Sequence, residues 1–352
     1  MSQAETLTGL VDVASLEAYL RRALPAPDAA APLVVHKHTA GFSNETFYLE
    51  RGVQRWVMRR PPRGPLLPSA HDVGREYRVL AGLHGTAARV PRPLVLCEDV
   101  EVIGAPFYVM ERVDGIVIRE QLPDQFDAVA ERRRLGEEMI DTLVEIHSVD
   151  WRAAGLESLG RPQGYLERQL RRWSGQLDLT LPRTRPLPRL VEVSDWLKTR
   201  LPASGPATVV HGDFKIDNVL FAPRAPARLL AALDWEMATL GDPLADVGYF
   251  MTFWGPTGDP DEGTPEAPLP VYGLPGFLSR EEMVARYEER SGRAMREIQF
   301  YMVLALWKLA IILEGLYAGF LVGTAANARA AEMEFRVPRL VDRMHRFMAG
   351  EL

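Results

Sequence analysis

The residues best suited to chemistry stand in Val209-Val210-His211-Gly212-Asp213-Phe214-Lys215-Ile216-Asp217-Asn218-Val219-Leu220-Phe221 and, shortly after, in Ala232-Leu233-Asp234-Trp235. Two apolar, β-like runs each end on an acidic residue, and an asparagine follows the first acid by five positions. Asp213, Asn218 and Asp234 are therefore expected to meet at one end of a small sheet. Three convergent oxygen-bearing side chains suit a hard cation and a phosphate. The chemistry they point to is phosphoryl transfer.

The block His211-Gly212-Asp213-x4-Asn218 has the spacing H-x-D-x4-N of a phosphotransfer catalytic loop. Such transfer needs in-line positioning, magnesium to neutralise phosphate charge, and a carboxylate that accepts or orients the nucleophile's proton. Asp213 fits the last role, and Asn218 and Asp234 fit a neutral and a charged oxygen ligand for Mg2+. Lys215, two residues after Asp213, suits a cation that stabilises charge on the transferring group. His211 is grouped with the catalytic residues, as a brace of the loop through its backbone or Asp234 rather than a proton shuttle. Asp246 is expected to buttress the loop, Asp242 to cap the following helix, and Asp217 to be an exposed loop residue. Taken singly, each acid could merely end a strand or turn a loop; the combination at this spacing is far rarer.

The elements that must position these groups follow from periodicity. Ser15 to Leu24 reads as an amphipathic helix with Ser15 as N-cap and Pro25 as stop, followed by an Ala/Pro linker to Pro32. Strands are expected over Leu33–His38, Thr46–Glu50 and Gln54–Arg59, with Arg51-Gly52 as a tight turn in an antiparallel meander. A helix over Asp72–Leu83 and strands over Leu94–Glu98 and Pro106–Arg112 complete a five-stranded sheet with one helix. From about Gln125 the pattern is helical: Ala128–His147, Gly164–Gln176, Leu190–Leu201, then helices beginning at Arg280, Ile298 and Ala328. A Pro/Gly loop from Pro256 to Gly276 carries Asp259, Asp261, Glu262 and Glu266.

At 352 residues the chain exceeds one typical core, so two lobes are expected. Its net charge of -6 leaves no positive excess to neutralise nucleic-acid phosphates. Cys97 is the single cysteine, which excludes an intramolecular disulfide or a cysteine metal cluster. Lysine occurs only at Lys37, Lys198, Lys215 and Lys308, so each one's position matters. The N-terminal residues lack a basic segment followed by an apolar core, and the apolar run Tyr301–Leu321 is broken by Lys308 and Glu314. A cytoplasmic protein with no membrane span is the expectation.

His211-Gly212-Asp213 with Asn218, Leu233-Asp234-Trp235-Glu236 and Gly241-Asp242-Pro243-Leu244-Ala245-Asp246 together resemble the aminoglycoside-phosphotransferase-like family of small-molecule kinases. The likeness runs from the Lys37 strand to the Ile298 helix. It implies an α+β, bilobal protein-kinase-like fold, with an N-lobe antiparallel sheet plus helix and a larger, mainly helical C-lobe. The segments are then 1–32, an N-terminal helix and linker; 33–112, the N-lobe; and 113–352, the C-lobe. The cofactors implied are ATP and Mg2+, and the partner a small-molecule hydroxyl substrate. Gly41, Phe42, Ser43 and Asn44 look like the nucleotide-covering loop, and Met110, Glu111 and Arg112 like the interlobe hinge whose backbone would bond adenine. Gly41-Phe42-Ser43-Asn44-Glu45-Thr46, Val57-Met58-Arg59-Arg60-Pro61-Pro62 and Leu233-Asp234-Trp235-Glu236-Met237-Ala238-Thr239-Leu240 most resemble the branch associated with acyl-CoA dehydrogenases. Some members of that branch are similar to kinases of hydroxyacyl-CoA thioesters.

Two departures stand out. Where kinases place a lysine on the third strand, paired with a helix glutamate, this chain has Arg59, with Glu76 as the helix partner. The guanidinium has the same charge but a wider, planar fork. The covering loop has one glycine, Gly41, where protein kinases have three. An antibiotic kinase, for an aminoglycoside or macrolide, and a catalytically silent nucleotide-binding module are the alternative readings.

Overall fold

Alternation of apolar and polar residues builds a five-stranded antiparallel sheet from the N-terminal third. In the computed structural model, residues 10–25, 30–38, 44–63, 72–119, 121–254, 274–323 and 328–351 are described. The strands are β1 (Val34–Lys37), β2 (Glu45–Arg51), β3 (Gln54–Arg60), β4 (Pro93–Cys97) and β5 (Phe107–Glu111), in the order β1-β2-β3-β5-β4. The first three form the expected meander, with Gly52 at φ 58° turning β2 into β3. β5 then inserts between β3 and β4.

Phe47, Leu49, Trp56, Met58, Phe107 and Val109 form one face of the sheet, covered by Leu16 and Leu20 of helix α1 (Val13–Ala23). Each fully buried leucine of this kind contributes roughly 1.5–3 kcal/mol. The expected cap is corrected here: Asp12, not Ser15, starts α1, its Oδ1 accepting from the backbone N–H of Ala14 and Ser15 at 3.0 and 3.2 Å. A carboxylate one turn earlier outcompetes the serine, whose hydroxyl itself donates to Asp12 Oδ2. Val57, Tyr108 and Met110, with helix α2 (Val73–Leu83), belong instead to the main core. Asp72 caps α2 by accepting from Arg75 N at 2.8 Å.

The rest of the chain is mainly helical: α3 (Val129–His147), α4 (Tyr165–Thr180), α5 (Pro188–Thr199), α6 (Leu244–Thr252), α7 (Arg280–Ser291), α8 (Ile298–Leu321) and α9 (Ala328–Met348). By length and composition α8 could cross a membrane, yet half of its most apolar window is buried in the protein. Glu314, fully buried in α8, is paired with Arg185 at 3.1 Å. α8 packs closely on α6 at Gly248, where a Cβ would come within 2.5 Å of Tyr301 Cβ.

Between the helices lie four short strands: β6 (Thr208–Val210), β7 (Val219–Phe221), β8 (Leu229–Ala232) and β9 (Thr239–Gly241). They form two separate ribbons, β6–β9 and β7–β8, not the single small sheet expected from the two acid-tipped runs. β6 pairs with β9 and β8 with β7, so the acids converge through the loops. Leu233 N donates to Asn218 O at 2.8 Å, which ties the end of β8 to the loop that leaves β6.

Candidate active site

Gly212 lets the chain leave β6 at all. Its φ is +86°, and a Cβ there would lie 2.7 Å from Met237 O, so both backbone and space require glycine. His211 before it is fully buried. Its Nε2 lies 2.9 Å from Leu233 O, a group that can only accept, and its Nδ1 lies 3.3 Å from Asp213 N, which can only donate. The neutral Nε2–H tautomer satisfies both, and Trp235 lies against the ring with centroids 4.5 Å apart. Both ring nitrogens are thus used inside the loop, and the anchor is the carbonyl of Leu233 rather than Asp234. His211 braces the loop through both ring nitrogens.

Asp246, on α6, accepts from His211 N at 2.6 Å and Gly212 N at 2.8 Å, with His147 Nε2 at 3.3 Å. His147 Nδ1 meets the Tyr287 hydroxyl at 2.8 Å. Desolvation works to raise the Asp246 pKa, but the hydrogen bonds and charge of His147, with His211 and Gly212, hold it below the ordinary value. A carboxyl depressed in the folded state stabilises the fold above its unfolded pKa, and that contribution is lost as pH falls through the folded value. Asp246→Asn is therefore expected to cost about 1–3 kcal/mol near neutrality, with the deficit shrinking as pH drops below about 4. Urea unfolding between pH 3 and 7 measures it, and a pH-independent deficit would contradict this linkage. Asp242 accepts from Leu244 N at 3.0 Å and from the Tyr301 hydroxyl at 2.8 Å, so it caps the entry to α6.

Both oxygens of Asp213 are occupied. Oδ2 accepts from Asn218 Nδ2 at 2.7 Å, and Oδ1 accepts a short hydrogen bond from the Tyr249 hydroxyl. Burial first, and then the charge of Asp213, push the Tyr249 pKa well above 10, so this phenol stays a donor. Lys215 Nζ lies 3.8 Å from Asp213 Oδ2 and 3.6 Å from Asp217 Oδ2. Desolvation opposes its charge, but the two aspartates outweigh that and raise its pKa. Asp217, expected as an exposed loop residue, is only partly exposed, and its carboxylate is turned toward Lys215.

Asp234 sits at φ 65°, ψ 66°, a left-handed conformation that is uncommon outside glycine and costs of order 1 kcal/mol or more. It faces Arg59, whose guanidinium nitrogens lie 3.3 and 3.4 Å from Asp234 Oδ1 and whose Nη1 lies 2.5 Å from Glu76 Oε1. Arg59 therefore bridges β3, α2 and the loop after β8. Desolvation pulls against its charge, while Glu76, Tyr108 and Asp234 more than compensate, so its pKa lies above the ordinary value. Burial lifts the Glu76 carboxyl to about 7, with Arg59 opposing. Asn44 is buried, and its Nδ2 lies 3.4 Å from Glu76 Oε2. It thus braces the ion pair, whereas Gly41, Phe42 and Ser43 lie outside the described residues.

Two of the expected hinge donors are already used. Glu111 N donates to Arg92 O at 2.9 Å and Arg112 N to Arg55 O at 3.4 Å, and Met110 is paired within the sheet to both β3 and β4. The Arg112 side chain is bonded to Glu50 and stacked over Tyr48. Pairing runs to Arg112, the expected end of the strand, so it takes the N–H groups that the hinge reading assigns to adenine. The first main-chain N–H past it with no partner among the described residues is that of Val113.

The oxygens of these groups suit a magnesium ion. Asn218 spends its Nδ2 on Asp213, through Oδ2 at 2.7 Å and the backbone O at 2.9 Å, and keeps its side-chain oxygen as a ligand. The part-exposed Asp234 adds a carboxylate. No group of three or more His, Cys, Asp or Glu suited to a metal occurs among the described residues. A cation here would draw further oxygens from phosphate and water, as Mg2+ does.

The family model described as the phosphotransferase enzyme family matches residues 34–301. The chain belongs to that family. Among solved structures, this family member is similar to a Ralstonia eutropha protein named "putative aminoglycoside phosphotransferase", at 33% identity and TM-score 0.83, covering 96% of this chain and 98% of that one. A choline kinase from Cryptosporidium parvum, at 10% identity and TM-score 0.64, covers 97% and 98% and shows the shared kinase-like fold. The acyl-CoA dehydrogenase family member 11 of Gallus gallus is 39% identical over 342 residues, which is 94% of this chain and 43% of that protein. The chain thus spans less than half the length of this relative, and its resemblance to the branch named for acyl-CoA dehydrogenases is borne out.

Sequence reasoning missed Tyr249 and left Lys308 without a role. Tyr249 stands one helical turn after Asp246, so the helix that carries the loop's buttress also presents the phenol to Asp213. The scarcity of lysine was the one signal that singled out Lys308.

Proposed function

We propose that this phosphotransferase-family protein transfers the γ-phosphoryl group of ATP to the hydroxyl of a small molecule, with hydroxyacyl-CoA thioesters as the acceptor class. The observation that carries the reading is the convergence of Asp213, Asn218 and Asp234 beneath the Arg59–Glu76 pair. Asp213 accepts the acceptor's proton as its oxygen bonds to the γ-phosphorus and the bond to the ADP oxygen breaks. Tyr249 and Asn218 hold the two carboxylate oxygens in place beforehand, which lowers the reorganisation needed at reaction. Lys215 offsets charge on the moving phosphoryl group. Arg59, held by Glu76, binds the α- and β-phosphates, and the main chain around Glu111 and Val113 receives adenine. Asn218 and Asp234 would hold Mg2+, which supplies neutralisation of the β- and γ-phosphate charge.

The acyl-CoA assignment is supported by relatives named for acyl-CoA dehydrogenases, in which the stretch like this chain is less than half of a longer protein. A phosphorylating domain beside an acyl-CoA enzyme fits a shared thioester substrate. The test is a γ-phosphate transfer assay with MgATP over hydroxyacyl-CoAs, sugars and aminoglycosides. Mg-dependent transfer to a hydroxyacyl-CoA is the expected result. Transfer to aminoglycosides alone would move the protein to the antibiotic kinases, and nucleotide binding with no transfer would make it a silent module.

A further inference from the structure

Three of the four lysines have carboxylate partners: Lys37 with Glu45 at 2.6 Å, Lys198 with Asp195 at 3.3 Å, and Lys215 with Asp213 and Asp217. Lys308 differs. It projects from the apolar helix α8, and among the described residues no carboxylate oxygen lies within 4.0 Å of its ammonium. Its contacts are the Gly212 carbonyl at 3.5 Å, long for a hydrogen bond, and the Trp173 ring, 5.8 Å from Nζ to the centroid.

Lys308 lines a cavity of about 30 Å³ together with Gly212, Asp246, Tyr249, Tyr165 and Trp173. The cavity adjoins the proposed base, since Tyr249 donates to Asp213 and Gly212 precedes it. It has room for about one or two waters, one of which a ligand oxygen could replace. An ammonium has three donors, and a long bond to one carbonyl leaves most of that capacity unspent. Desolvation lowers the Lys308 pKa, with the charges of Asp213 and Asp246 opposing. A methionine would fill the same space without that desolvation cost. The cation is thus costly to the fold and sits where the acceptor must approach.

We infer that Lys308 is the specificity residue of the acceptor site: its ammonium takes a carbonyl or carboxylate oxygen close to the reacting hydroxyl, and it repels cationic acceptors. This rests on the kinase reading of Asp213 and narrows it, because a polyamine-like acceptor would bring like charge to a poorly solvated ammonium. The oxygen comes from a free hydroxy acid or from its thioester.

The test is isothermal titration calorimetry of the wild type and Lys308→Met, with and without MgADP. The probes are hydroxycarboxylates with the hydroxyl on successive carbons, each as free acid and as pantetheine thioester, and amino alcohols of matching length. The wild type is expected to bind an acid or a thioester and to reject the amino alcohols. Lys308→Met should weaken the favoured probe about 10- to 100-fold, the loss of one charge-assisted hydrogen bond, while its Tm equals or exceeds that of the wild type. Binding of thioesters but not acids assigns the oxygen to the thioester carbonyl; the reverse assigns it to a carboxylate. Unchanged affinity with a lowered Tm would make Lys308 a structural brace of Gly212 and overturn the inference, as would failure of every acid and thioester to bind the wild type. Binding is read without turnover, so the two proposals fail separately. Lys308-dependent binding with no transfer sinks only the kinase reading, and transfer unaffected by Lys308→Met sinks only this one.

Discussion

Asp213→Ala is expected to lower phosphoryl transfer by about 100- to 10,000-fold, the range for a lost general base, while MgATP still raises the Tm of the variant. The carboxylate is the hub of its loop, with Tyr249 on one oxygen and Asn218 on the other. Neither partner substitutes for it. Burial holds the Tyr249 phenol protonated at neutral pH, and the Asn218 amide does not accept protons. His211 is no substitute either, with both ring nitrogens committed within the loop. Steady-state kcat with the best acceptor, beside an MgATP thermal shift, measures both halves. Full-rate turnover in the variant would remove Asp213 from its role. Asp213→Asn keeps the shape of the loop and separates the lost base from lost structure.

Arg59→Met should produce the largest loss of stability. It leaves Glu76, only 1% exposed, without its cation, and breaking a buried ion pair costs about 3–5 kcal/mol. The loss should depend on pH. Burial already raises the Glu76 carboxyl to about 7 with Arg59 present, and without Arg59 the folded value rises further. A carboxyl raised in the folded state binds protons that the unfolded chain has released, so stability falls as pH rises from the unfolded value toward the folded one. The variant should therefore be clearly weaker at pH 8 than at pH 6 in urea unfolding, whereas Arg59→Lys should recover much of the difference. MgATP binding should weaken as well, because the α- and β-phosphates lose the cation proposed to hold them. A pH-independent loss below about 1 kcal/mol would show that the pair behaves as a solvated one.

The legible part of the site was the part that one loop carries. From His211 to Asn218 the covalent chain sets the spacing, so a donor five residues from an acid can be read as its neighbour, and Asn218 does bond Asp213. Arg59 and Glu76 were readable for a different reason. A strand-end arginine and a helix glutamate sit on a common architecture, and the pair forms as the strand and helix pack. The secondary structure was legible to within a few residues wherever apolar period was strong, as in α3 and α8. It failed at caps, where Asp12 displaced Ser15, and at the hinge, where pairing consumed the N–H groups of Glu111 and Arg112.

By itself the sequence determined the His211–Asn218 loop, the sheet-plus-helix N-lobe, the helical remainder and the phosphotransferase family they point to. All of these rest on short-range spacing and hydrophobic period, which the chain carries locally. The tertiary structure alone decided that β5 lies between β3 and β4, and that the acids meet across two ribbons instead of one sheet. It also decided which distant side chains complete the site. Tyr249 reaches Asp213 from 36 residues away, and Lys308 reaches Gly212 from 96. Those contacts exist because α6 and α8 pack through Gly248 and Tyr301, a matter of shape between helices that no local pattern encodes.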